Sequence, residues 1–225
     1  MATFTINGKR NTDWDMDFLR KTISAAAPKT RTVDIPLRDG IIDITESSDG
    51  IVRYRNRQIT MNCEIRKPRI EWPHLQMELA NLYHGKIVTV SFGDDPDHYW
   101  IGRMTVGAIQ DNTTTANITF TLDAEPFRRT TDAIKVSEIT LAANAEEQVS
   151  INLLGHARGY IMLVPDGTEW SAIDIVINGI PYRVFPGTAI RGELLPALTE
   201  SMNITFRNEY ALSQKFTYKV VGGDL

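Results

Sequence analysis

Four histidines, one cysteine, a short run of aspartates and a stripe of arginines are the residues whose types and spacing bear on chemistry. His74, His84, His98 and His156 fall in no HExxH pattern, and none is near Cys63 in sequence. Metal binding or base catalysis needs a converging set of groups, so no such role is expected for them. Asp94, Asp95 and Asp97 invite a Ca²⁺ reading. Pro96 and the missing DxDxDG…E pattern argue instead for a turn built from Asp and Pro. Cys63 alternates with Met61 and Ile65, which fits a buried structural thiol, because a reactive one needs an electropositive, accessible setting. Ser47, Ser48, Ser91 and Ser171 lack a G-x-S-x-G context, and no phosphate-cradling glycine loop occurs.

Arg53, Arg55 and Arg57 share one face of a regular strand. Such a stripe contacts phosphates, pairs with a neighbouring chain or stays solvated. Asp and Glu match Lys and Arg in this half of the chain, and no aromatic platform accompanies the arginines. Ion pairs with another chain are therefore favoured over nucleic acid. Trp170, Tyr182 and Tyr160 offer faces for a sugar, or serve as core and rim of a sandwich. No catalytic, cofactor or metal set assembles, so the expectation is a structural or binding protein and not an enzyme.

The elements that must position these groups read mostly as strands. Asn7-Gly8 favours a tight hairpin after Ala2–Ile6. Leu19–Ala27 reads as a turn or two of helix closed by Pro28. Val33–Pro36 and Ile41–Ile44 flank the turn Arg38-Asp39-Gly40, and Glu46–Gly50 is a polar loop. Ile51–Ile65 alternates at period 2 with a phase slip between Tyr54 and Ile59, giving one bulged strand or two shorter ones. Residues 70–84 are the one strong helix, with Pro73 in the first turn, Leu75, Leu79 and Leu82 on one face, and Gly85 as the stop. Strands follow at 86–92, 99–109 and 115–122. After residue 132 short strands are expected at 134–141, 147–154, 160–164, 172–177, 181–185, 202–207 and 214–221, the pattern of an antiparallel sandwich.

The chain has 225 residues and a net charge of −4. This size suits one large domain or two small ones, and the charge disfavours a generally basic nucleic-acid binder. Residues 1–130 carry 17 Lys+Arg and 17 Asp+Glu, whereas 131–225 carry 7 and 11. The shift places a boundary near 130, giving domains 1–131 and 132–225. One cysteine excludes an internal disulfide, and no apolar run approaches the ~18 residues of a membrane helix. No secretory signal is evident at the N-terminus.

Several stretches, taken in order, resemble the distal tail protein (Dit) family of long-tailed, non-contractile phages and their prophages. They are Asp34–Thr45, including Gly40; Tyr54–Ile59; Trp72 to His84-Gly85-Lys86; Asp94–Arg103, with Tyr99, Gly102 and Arg103; and Ala124–Arg128, with Pro126. The resemblance covers roughly 1–130. Leu37, Trp100 and Phe127 depart from the family pattern.

The resemblance implies an N-terminal β-sandwich or split-barrel-like domain with one helix, followed by a galectin-like antiparallel β-sandwich. It implies a ring, typically hexameric, in the virion at the distal end of the tail, made in the bacterial host cytoplasm. The ring would join the tail tube protein to the tail-associated hub or fibre protein and let DNA through without specific binding or membrane insertion. A cyclic ring needs two different faces per subunit. Arg38, Asp39, Arg53, Arg55 and Arg57 are placed at that contact. The alternative is a carbohydrate-binding sandwich acting in host-surface adhesion.

Overall fold

The computed structural model describes residues 3–47, 50–112, 115–164, 171–185 and 195–225. The chain is mainly β, its strand pairs are antiparallel, and it divides into two compact units, 1–128 and 129–224. The first unit holds β1 (Phe4–Ile6), β2 (Lys9–Arg10), β3 (Met16–Ile23), β4 (Thr32–Asp34), β5 (Ile41–Asp43), β6 (Arg57–Ile65), helix α1 (Trp72–Tyr83), β7 (Ile87–Phe92), β8 (Asp95–Val106), β9 (Gln110–Asp111) and β10 (Ala116–Ala124). Its sheet runs β2-β1-β7-β8-β10-β6-β3. Asn7 (φ 50°) and Gly8 (φ 83°) are both left-handed, as a tight hairpin turn between β1 and β2 requires.

Alternation explains why these segments are strands. In β6, Arg57, Ile59, Met61, Cys63 and Ile65 all face inward, and in β10 Ala116, Ile118, Phe120, Leu122 and Ala124 do the same. The two strands pair along their whole length, from Ala116 opposite Ile65 to Ala124 opposite Arg57. The sheet wraps its own core: Phe4 on β1 meets Phe18 on β3 edge to face at 5.0 Å, although the two strands lie far apart along the sheet. Buried Asn11 ties this closure. Its side chain accepts from Phe4 N–H at 3.1 Å and donates to Met16 C=O at 2.8 Å.

The helix is shorter than 70–84, and its first residues form a separate 3₁₀ turn at Arg69–Glu71. Leu75 and Leu79 are buried, but the third buried position is Tyr83, packed on Trp14, and Leu82 is 40% exposed. Gln76 docks the helix by bonding Gly107 C=O and Ile109 N–H. Gly85 (φ 73°) ends the helix as expected. The helical reading of Leu19–Ala27 is corrected: Met16–Ile23 is strand β3, paired to β6 with a bulge at Leu19.

Gly102 lies where β8 crosses close to β10. A Cβ there would meet Asp123 C=O and sit 2.7 Å from Ala124 Cα, both backbone. Neither can yield without breaking the ladder. Gly102→Ala is expected to lower stability by more than about 2 kcal/mol in urea unfolding. A change below 0.5 kcal/mol would contradict the close approach.

The second unit packs two sheets. One has the order β13-β17-β11, from β11 (Arg128–Leu141), β13 (Arg158–Val164) and β17 (Gln214–Asp224); the other runs β12-β16-β14-β15, from β12 (Glu146–Ile151), β14 (Ile173–Ile177), β15 (Ile180–Val184) and β16 (Met202–Arg207). All seven strands expected from the sequence after residue 132 are present; β11 begins at Arg128, six residues before the expected start, and the other ends differ by three residues or fewer. Ile139, Ile161, Phe216 and Tyr218 from one sheet and Ile175, Ile204 and Phe206 from the other form a single buried cluster. This is the face-to-face packing of a sandwich.

Candidate functional site

A long ribbon leaves the first unit between β3 and β6. Its root is held by Ser24 N–H to Gln58 C=O (2.9 Å), Arg55 N–H to Ala27 C=O (2.7 Å) and Lys29 N–H to Arg53 C=O (2.7 Å). Farther out β4 pairs with β5, from Thr32 opposite Asp43 to Asp34 opposite Ile41. The tip turns at Leu37 (φ 67°) and Gly40 (φ 79°). Every residue from Arg31 to Ile41 is exposed. Among them are Val33, Ile35, Ile41 and Leu37, the last wholly solvent-facing at 109%.

Among the described residues, none between 24 and 56 belongs to the hydrophobic core of the unit. A two-stranded ribbon is marginal without a surface to pack on, and an apolar one exposes a sticky edge. Arg38 and Asp39 sit in the exposed tip turn, and Ser48 of the polar loop lies outside the described residues.

The arginine stripe is not one face. Arg53 and Arg55 are exposed on the ribbon, whereas Arg57 begins β6 and points inward at 9% exposure. The phase slip noted in the sequence marks this change. Arg57 stacks over the Trp100 ring, Cζ to centroid 5.0 Å, and its buried Nε has no hydrogen-bond partner. Nearby Arg128 donates to Asp95 at 2.8 Å, and its own Nε is also buried and unpartnered. Burial, with the Arg128 charge added, lowers the Arg57 pKa. Tyr54 meets Phe127 edge to face beside this cluster, at the bend that holds Pro126.

The three aspartates do not converge, and the expected turn is corrected: only Gly93 and Asp94 turn, whereas Asp95 and Asp97 belong to β8, whose pairing with β7 decides the backbone there. Asp94 pairs with Lys21, and Asp95 bonds His98 Nδ1 (2.7 Å) and Arg128. Burial works to raise the Asp95 carboxyl, but the His98 hydrogen bond and charge, with Arg128, outweigh it and hold it below its ordinary value. Its stabilisation is therefore complete above the unfolded carboxyl value of about 4 and is lost as pH falls through the folded one. Asp95→Asn is expected to cost about 1–2 kcal/mol at pH 7, with the gap to the native chain closing below about pH 4. Urea unfolding across pH 2–7 measures it, and a gap that stays constant with pH would refute the charge pairing.

The remaining sequence candidates are structural. His84 Nδ1 sits 3.2 Å from Val106 N–H and 3.3 Å from its carbonyl. Arg103 caps the Gly85 carbonyl, and Tyr99 lies half-buried on β8 opposite Ser91. Cys63 is fully buried, which pushes its thiol up to about 12. Tyr160 is buried under Arg129, whose Cζ lies 4.1 Å from the ring centroid, and Tyr182 is half-buried against the second core. Trp170 lies outside the described residues. A cleft of about 220 Å³ in the second unit, lined by Glu146, Arg207 and Asn208, is below the usual size of a ligand pocket.

No protein-family model and no curated protein matches the chain. The fold does have a solved counterpart. It is similar to the crystal structure of SPP1 Dit (gp 19.1), described as a paradigm of the hub adsorption apparatus in phages infecting Gram-positive bacteria. The likeness covers all of both chains, with a TM-score of 0.55 and 13% sequence identity. The chain therefore has a Dit-like fold.

Proposed function

We propose that the chain is a non-enzymatic structural subunit of a phage tail tip, part of the apparatus that engages the host. Its likeness to a hub adsorption protein over the full length of both chains carries this reading. In it, the first unit builds the wall of a ring, typically of six copies, between the tail tube and the tail-associated hub or fibre protein. The second unit is a galectin-like sandwich facing outward. The exposed apolar ribbon is the face each copy offers its neighbour, with Arg38, Asp39, Arg53 and Arg55 in the contact. A head-to-tail contact of this kind closes into a ring when its rotation divides the circle.

Light scattering coupled to size exclusion, with negative-stain images of the same fractions, tests the reading. The expected species has a mass about six times 25.3 kDa and a central hole. A chain that keeps single-copy mass at millimolar concentration would overturn self-assembly.

A further inference from the structure

Arg57 is a charge without a counter-charge. It is nine-tenths buried, its Nε is unpartnered, and among the described residues no carboxylate pairs with it. Arg128, whose Nη1 is held by Asp95, adds a second guanidinium with a buried, unpartnered Nε beside it, so Arg57 is the cation left uncompensated. A buried cation next to a like charge is costly unless an anion joins them. The face of the Trp100 ring lies against the Arg57 guanidinium. The Arg57 fork, with the Arg128 guanidinium beside it, suits a carboxylate.

The ribbon itself carries that anion at its far end. Across 32–47, Asp34, Asp39, Asp43 and Glu46 stand against Arg38 alone, 1 − 4 = −3. Across 51–58, Arg53, Arg55 and Arg57 stand against no acid, +3. From the Ala27–Arg55 pairing to Asp34 is seven residues, roughly 23 Å of extended strand, so root and tip of one ribbon are far apart. We propose that Arg57 and Arg128 form a carboxylate socket that receives the acidic ribbon tip of a second copy of this chain. The inference rests on the self-assembly reading and adds its polarity: tip to root, copy after copy. Val33, Ile35 and Leu37 supply the apolar cover around the ion pair.

A cyclised peptide of residues 31–46 is titrated calorimetrically into the full-length chain. The expected result is saturable binding that weakens with salt. Asn replacing Asp34, Asp39 and Asp43 in the peptide, with the chain unchanged, is expected to weaken it about tenfold or more, the size of a lost charge-assisted bond. Arg57→Gln in the chain is expected to do the same, with Arg57→Lys intermediate because it keeps the charge and loses the fork. No binding of the native peptide, or equal binding of native and Asn peptides, would overturn the socket. Rings that form equally well with Arg57→Gln would overturn it while leaving assembly intact. A native chain that binds the peptide yet keeps single-copy mass would overturn assembly and leave the socket's chemistry standing.

Discussion

Replacing residues 31–45 by an Asn-Gly turn is expected to give a chain that folds normally and no longer assembles. The two effects separate because the ribbon contributes no residue to the core of its unit. The melting temperature of the shortened chain should stay within a few degrees of the native one, since about 1 kcal/mol corresponds to ~2–4 °C at this size. The removed segment carries Val33, Ile35, Leu37 and Ile41, which are 42%, 41%, 109% and 69% exposed. Covering about half of that aliphatic surface against a neighbour contributes on the order of 3–5 kcal/mol. Its loss raises the dissociation constant by roughly a hundred- to a few thousandfold. Sedimentation equilibrium reads the change directly. A shortened chain that assembles like the native one would remove the ribbon from the contact.

The largest stability effect is expected at Phe206. It is fully buried on β16, with ring centroids 5.2 Å from Phe216 and 5.0 Å from Tyr218 on the facing sheet. Phe206→Ala leaves a hole between two sheets that cannot close without breaking one ladder. The expected cost is about 3–5 kcal/mol, against under 1.5 kcal/mol for Phe206→Leu. Hydrogen exchange should show protection lost in β14, β16 and β17, with β6, β8 and β10 unchanged. Equal behaviour of the two variants would mean that the sheets do not meet at this ring.

Strands of the second unit such as β13, β14 and β15 were legible because they are short, rich in apolar residues and set off by turn residues such as Asn178-Gly179, which takes left-handed φ at both positions. The helix was legible from Leu75 and Leu79. Leu82 misled because, at 100° per residue, it lies about 60° off the centre of the stripe formed by Leu75, Leu79 and Tyr83. Leu19–Ala27 misled for a different reason. Leu19 and Ile23 stand four apart as on a helix, but pairing with β6 decides the backbone, and a bulge turns Leu19 outward. Long-range pairing of this kind leaves no local trace.

The candidate site was legible in part. Arg38 and Asp39 in an exposed turn followed from turn chemistry. Burial of Arg57 was signalled by its phase, because it alternates with Ile59 and Met61 on the core side of the slip, whereas Arg53 and Arg55 precede it. That Arg128 stands beside it was hidden, since the two are 71 positions apart in sequence. The apolar character of the ribbon was visible in composition, but its lack of any covering surface was not.

Cys63 is the sole thiol of the sequence, and it is fully buried, which pushes its thiol up to about 12. The native chain is therefore silent towards maleimide dyes and spin labels. A single Leu37→Cys replacement puts one reactive handle on the outermost point of the ribbon. Copies tagged in two colours would then report, by energy transfer, when a tip arrives at its neighbour and how quickly subunits exchange.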